Sequence, residues 1–337
     1  MNRLQADILE IAEHKDLFLP FAHKTVLITG ATGLIGSMLA RSFLAADEKY
    51  GLGVRLIGQI RDPEKAKAVY GGLFERMEFT ADPDVCCDHI VHTVSPTASG
   101  YFIEHPVETI RASVESTIQM LEAAKKHGAS AVYLSSMEQY GVPCIPGQKM
   151  KETDSGIIDH LNVRSSYSES KRLCECLCAS YAAEYNVSVK IVRLAQTFGA
   201  GAALSDHRMP MQFAEAVLEG KDIVLHTEGR SISNFVYLTD AVTGILTVLT
   251  RGEAGEAYNV CSDSETRSVR EIARLVAEDV ACGRISVRIE KKENMGYAPD
   301  TSMYLDSSKL RGLGWSAKVG MAEAYRRLLE YLEDLHA

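Results

Sequence analysis

The chain has 337 residues, 46% hydrophobic and 24% charged, the balance of a globular protein of one large or two small domains. Its formal net charge of -9 argues against nucleic acid or an anionic membrane surface as the main partner. No apolar run is long enough to span a bilayer, and the first residues lack the apolar core and cleavage site of a secretory signal, so a cytoplasmic protein is expected.

Leu4, Ile8 and Ile11 recur at helical spacing, which predicts a short amphipathic helix within an N-terminal extension, residues 1–23. The next stretch, KTVLITGATGLIGSMLARSFL (24–44), reads as a buried strand, a glycine turn and a helix. Gly30, Gly33 and Gly36 are spaced three apart, and Leu34 and Ile35 open the helical period. A turn without Cβ atoms admits close backbone approach, and a helix N-terminus offers N–H donors and partial positive charge. Together they suit the pyrophosphate of a dinucleotide.

Further strands are expected at 54–60, 89–94, 131–136 and 189–195, with a helix at about 104–127 carrying Val107, Ile110, Val114, Ile118 and Leu121. Strands alternating with helices imply an α/β fold with a doubly wound parallel sheet, which binds ligands beyond the carboxyl ends of its strands. The alternation loosens after about residue 197. A strand and helix at 233–249 return to the main domain, a helix is expected near 268–281, and a final amphipathic helix at about 321–335. This divides the chain into a dinucleotide-binding domain (24–196 and 231–261) and a smaller C-terminal substrate lobe (197–230 and 262–337). The eight cysteines lack zinc-site spacing, and His89 and His92 have no metal partner at sensible spacing; no metal is expected.

The chemistry concentrates in two stretches. SSMEQYG (135–141) ends a middle strand with Ser136 and Glu138. VRSSYSESKR (163–172) sets Tyr167 and Lys171 four residues apart, on one face of a helix. An ammonium beside a phenol favours the phenolate, so Lys171 is expected to lower the pKa of Tyr167 and make it a general base.

With these motifs in place the sequence resembles the extended short-chain dehydrogenases/reductases that modify nucleotide sugars, through TGATGLIG (29–36), SSMEQYG, YSESK (167–171), RLAQTFGAG (193–201), NFVYLTDA (234–241), AYNVCS (257–262) and LDSSKLRGLGW (305–315). The resemblance implies a Rossmann-type sheet and a homodimer built from helices near 104–127 and 168–186. It implies that Gly30, Gly33, Leu34, Ile35 and Gly36 hold NAD(P), with a lean to NAD. Ser136 then bonds the sugar oxygen, Tyr167 takes the O4 proton, and Lys171 anchors the nicotinamide ribose while a C4 ketone forms. A carboxylate at 138 fits the 4,6-dehydratases and nucleotide-glucuronate decarboxylases of this family, because a C4 ketone acidifies the C5 proton. Met137 has no proton for a departing hydroxyl, and Arg164 and Arg172 match the decarboxylase pattern.

Three departures stand out. Ser233 occupies a position where relatives carry an arginine for the substrate diphosphate, with Arg230 nearby as a substitute. Gln196 replaces the usual Asn. The second strand ends in Arg61 rather than an acid, which leaves NADP open, and Asp82 is placed as an adenine contact. The alternatives are a 4-epimerase with Glu138 idle, an NADP-dependent carbonyl reductase, and a cofactor-sensing regulator without catalysis.

Overall fold

The computed structural model describes residues 1–95, 99–291 and 300–336. Part of the expected lobe, residues 292–299, lies outside the described residues. Seven parallel strands form the main sheet: β1 (Thr25–Thr29), β2 (Arg55–Gln59), β3 (Glu78–Thr80), β4 (His89–His92), β5 (Ser130–Ser136), β6 (Val189–Leu194) and β7 (Ala257–Val260). Their order across the sheet is β7-β6-β5-β4-β1-β2-β3. The order reverses between β1 and β4, which opens a crevice at their carboxyl ends. The strands are short and apolar because both faces are covered by helices; every residue of β6 is buried.

Helix α1 (Arg3–Ala12) is capped by Asn2, whose side chain accepts from the Gln5 N–H. Ile11 is fully buried, whereas Leu4 packs against both the core beneath the main sheet and the core of the C-terminal part. Asp7 on the same helix is fully buried and accepts from Tyr237 Oη at 2.6 Å. It also pairs with Arg3 at 2.8 Å and Arg327 at 3.4 Å. The extension thus ties the two cores together.

The expected helix at 104–127 is two pieces, Ser99–Glu104 and α3 (Pro106–His127). Proline at the first helical position disfavours helical geometry at His105, whose φ is -132° and ψ 57°. Val107, Ile110 and Ile118 do not enter the core as their periodicity suggests; they are exposed along α3. Helix α3 packs instead through Met120, Leu121, Ala123 and Ala124 against the sheet and against α4 (Ser166–Tyr185).

The strand Phe235–Tyr237 pairs in parallel with Gln196–Phe198 and lies outside the main sheet. Helix α5 (Leu238–Arg251), which follows it, is buried along nearly its whole length and packs on β5, β6 and β7. A second core gathers the helix Met209–Leu218, the 269–281 segment and α6 (Met321–His336). No helix among the described residues is long and apolar enough to cross a membrane.

Candidate active site

The glycine turn lies at the switch point. Gly30 has φ +66°, and a Cβ there would stand 2.7 Å from Thr93 Oγ1. At Gly36 a Cβ would stand 2.4 Å from the Gly30 carbonyl oxygen, so helix α2 (Leu34–Tyr50) runs too close to the turn for any side chain. Gly33 is different: its Cβ would meet only the Gly30 oxygen, at 3.3 Å, and would otherwise project into open space. Gly33 is also the N-cap of α2, with no side chain satisfying the first N–H groups, those of Leu34, Ile35 and Gly36. An uncapped helix start facing a space that a single Cβ would narrow fits a pyrophosphate.

Beneath the turn lies a contact that the sequence reading passed over. His92 Nδ1 is 2.9 Å from Thr29 Oγ1, and Nε2 is 3.5 Å from Ser116 Oγ. Thr29 Oγ1 accepts the Thr93 N–H, and Ser116 Oγ donates to Ala112 O. The consistent arrangement has Thr29 donating to Nδ1 and the Nε2–H donating to Ser116. Burial, then the Lys171 charge, push the imidazole down to about 3, so it is a neutral structural link.

Ser136, Glu138, Tyr167 and Lys171 come together at the carboxyl end of β5. The strand gives way to a tight 3-10 turn, Met137–Tyr140, and Ser136 Oγ accepts the Glu138 N–H at 3.2 Å. Tyr167 lies in the first turn of α4, stacked on Phe102 with ring centroids 4.4 Å apart and planes 4° apart, and its hydroxyl is near Ser136. One helical turn on, Lys171 Nζ donates to Leu134 O at 2.7 Å and lies 5.6 Å from the Tyr167 ring centroid.

The expected tuning of the phenol is not present in this state. Burial pushes the Tyr167 pKa up, the Glu138 carboxylate adds to the rise, and only the Ser136 side chain and Arg208 oppose it. Lys171 is not among the groups acting on the phenol, and its own pKa is lowered by burial to about 8, against the opposing influence of Cys174, Glu175 and Cys178. Glu138 keeps solvent-accessible surface yet is crowded by protein atoms, as a side chain lining a cleft should be. That crowding raises its pKa, and Arg164 on the turn before α4 draws it back.

The turn carrying Glu138 is held by a buried network. Glu175 accepts from Ser135 Oγ and from Arg193, whose Nη2 stands at 2.6 Å. Arg193 Nη1 donates to Tyr140 Oη at 2.8 Å, and Tyr140 Oη donates to Asn259 at 2.9 Å. Arg172 donates to the carbonyls of Gln139, Tyr140 and Gly156. One signal for this was readable: an arginine within the apolar strand VKIVRLA requires a buried partner.

On the facing side Gln196 Nε2 donates to Ser233 Oγ at 3.4 Å, and Ser233 Oγ lies 3.8 Å from Met137 Sδ, so these two expected substrate positions meet the turn that carries Glu138. Arg208, missed in the sequence, is steered here by the Thr197 carbonyl at 3.0 Å and by Asp206. Arg230 is exposed and makes no ion pair among the described residues. Arg61 is exposed just beyond β2. Asp82 follows β3, its carboxylate accepting the Asp84 N–H at 2.9 Å.

A switch-point turn shaped for pyrophosphate, with a serine, tyrosine and lysine gathered beside it, defines a dinucleotide-dependent enzyme of the short-chain dehydrogenase type. Comparison with known proteins narrows the class. The chain belongs to the NAD dependent epimerase/dehydratase family, whose model matches residues 26–261. It is 30% identical over 301 residues to UDP-glucuronic acid decarboxylase 3 of Arabidopsis thaliana, covering 88% of this chain and 86% of that protein. With UDP-glucuronic acid decarboxylase 1 of Xenopus tropicalis it shares 27% over 316 residues, 91% and 72% of the two chains. Among solved structures, UDP-N-acetylglucosamine 4-epimerase from Methanobrevibacter ruminantium M1 superposes with a TM-score of 0.77 at 17% identity, covering 93% of this chain and 99% of that one. The dTDP-glucose 4,6-dehydratase from Bacillus anthracis, in complex with NAD, gives 0.73 at 17%, covering 92% and 96%. At such identities the structures speak for the fold alone.

Proposed function

We propose that the protein is a nucleotide-sugar lyase that oxidises the sugar at C4 transiently and then works at C5, in the manner of a UDP-glucuronate decarboxylase. The observation that carries this reading is the position of Glu138, a carboxylate in the cleft close enough to Tyr167 to raise the phenol pKa. When bound at the glycine turn, NAD supplies a reversible acceptor for the hydride of a sugar carbon. Ser136 bonds the sugar O4, and Tyr167 withdraws its proton as the C4–H bond breaks, leaving a ketone; this requires the phenolate, the form that the unliganded site disfavours and that binding of cofactor and substrate must restore. In a glucuronate the C6 carboxylate is then β to that ketone. The C5–C6 bond breaks, CO2 leaves, and the electron pair remains as an enolate across C5 and C4. Glu138 returns a proton to C5; burial, by raising its pKa, favours the protonated form this step needs. Met137 contributes a thioether, which has no proton to give to a departing hydroxyl, and this favours decarboxylation over dehydration.

Residues 197–230 and 262–337 are assigned to the sugar nucleotide as its lobe. The exposed stripe of Val107, Ile110 and Ile118 on α3, with Leu173 on α4, supports a homodimer in which the two helices meet their symmetry mates. The function is tested by incubating the purified protein with UDP-glucuronate, dTDP-glucose and UDP-glucose and following products by NMR. CO2 release and a UDP-pentose from UDP-glucuronate are expected. Exclusive 4-epimerisation, or turnover of none of the three, overturns the reading.

A further inference from the structure

If the substrate is a nucleotide sugar, its diphosphate needs fixed cations, the more so in a chain of net charge -9. Position 233, facing the cleft, is a serine, and its strand neighbour supplies what it lacks. The short strand Ile232–Ser233 pairs antiparallel with Arg267–Ser268, and Ser233 stands directly opposite Arg267. Directly opposed residues of an antiparallel pair project from the same face, with Cβ atoms about 4.5–5.5 Å apart. For Ser233 that face is the cleft, because its hydroxyl meets Gln196 and Met137. Arg267 therefore rises into the same space.

Its guanidinium is already oriented. Nε donates to Glu265 Oε2 at 3.1 Å, and that carboxylate is only 14% exposed. The two terminal nitrogens donate to nothing among the described residues, which leaves the fork that suits paired phosphate oxygens. The neighbouring cations are engaged elsewhere: Arg270 with Glu228, Arg208 with Asp206 and the Thr197 carbonyl. We propose that Arg267, reaching across the strand pair from the serine at 233, is the residue that binds the diphosphate of the substrate. This rests on the nucleotide-sugar reading above.

The test is calorimetric binding of UDP, dTDP and the nucleosides uridine and thymidine to the wild-type protein and to Arg267→Gln, Arg267→Lys and Arg230→Ala. The wild type should bind one diphosphate well above its nucleoside. Arg267→Gln should lose about 10- to 100-fold in affinity for that diphosphate, as expected when a charge-assisted contact is removed, while nucleoside affinity is unchanged. Arg267→Lys should recover part of the loss, and KM should rise in Arg267→Gln with kcat nearly constant. A wild type that does not distinguish diphosphate from nucleoside overturns the nucleotide-sugar reading and this inference with it. A wild type that does, with the preference intact in Arg267→Gln or lost instead in Arg230→Ala, overturns the assignment of Arg267 alone.

Discussion

Lys171 offers a prediction whose size follows from the fold. Its side chain is 2% exposed, and burial lowers its pKa from 10.5 to about 8. In the unfolded chain a lysine holds its proton to about pH 10.4. Between pH 8 and 10.5 the unfolded state therefore binds more of this proton than the folded state, and stability rises with pH across that window. The contribution is present in full above the unfolded pKa and is lost as pH falls through the folded one. Moving from pH 7 to pH 10 captures about 2.5 kcal/mol of it. Lys171→Met keeps similar bulk and does not titrate. Urea unfolding of both proteins, freed of dinucleotide, at pH 7, 8.5 and 10 gives the difference in stability, in which other titrating groups cancel. That difference should shift toward the wild type by about 2.5 kcal/mol from the lowest to the highest pH. Parallel curves across the range would refute the reasoning, since the lysine would then be titrating as it does in water.

Glu138→Gln keeps the shape of the cleft but removes its acid–base group; turnover of UDP-glucuronate should fall about 10²- to 10⁴-fold, and a variant as active as the wild type by NMR would leave the carboxylate without a role. Glu175→Ala strands the buried Arg193 charge and should cost about 3–5 kcal/mol, read as a lower urea midpoint with unchanged slope; a change under about 1 kcal/mol would mean that water replaces the carboxylate. Ile110→Glu places a charge on the exposed stripe of α3 and should convert a dimer to a monomer in sedimentation velocity, whereas an unaltered dimer puts the interface elsewhere.

Local patterns were readable wherever one element carried the whole signal. The turn after β1 combines three glycines with the start of an apolar helical period, and the spacing of Tyr167 and Lys171 needs only one helix to bring them to one face. Elements that depend on partners were harder to read. Edge strand β3, with the sequence EFT, is too short to show a pattern. The apolar period of α3 indicated a helix correctly but could not say which face meets the sheet, because α4 and the small residues Ala123 and Ala124 settle that. Arg208 carried no signal in the sequence, since its place at the cleft is set by a carbonyl on a strand eleven residues earlier.

The sequence alone determined the alternating α/β order, the glycine turn and the inventory of acid, phenol and amine, because these follow from chain-local sterics and periodicity. Only the tertiary structure decided their electrostatics. Burying Lys171 makes its neutral form accessible, and burying Tyr167, with Glu138 close by, makes the phenol a weaker acid, the reverse of what spacing suggested. The same holds for Arg267, whose place beside Ser233 comes from the register of two short strands far apart in the chain. A pKa and a binding face both depend on what surrounds a group in space, and that environment exists only once distant segments have packed together.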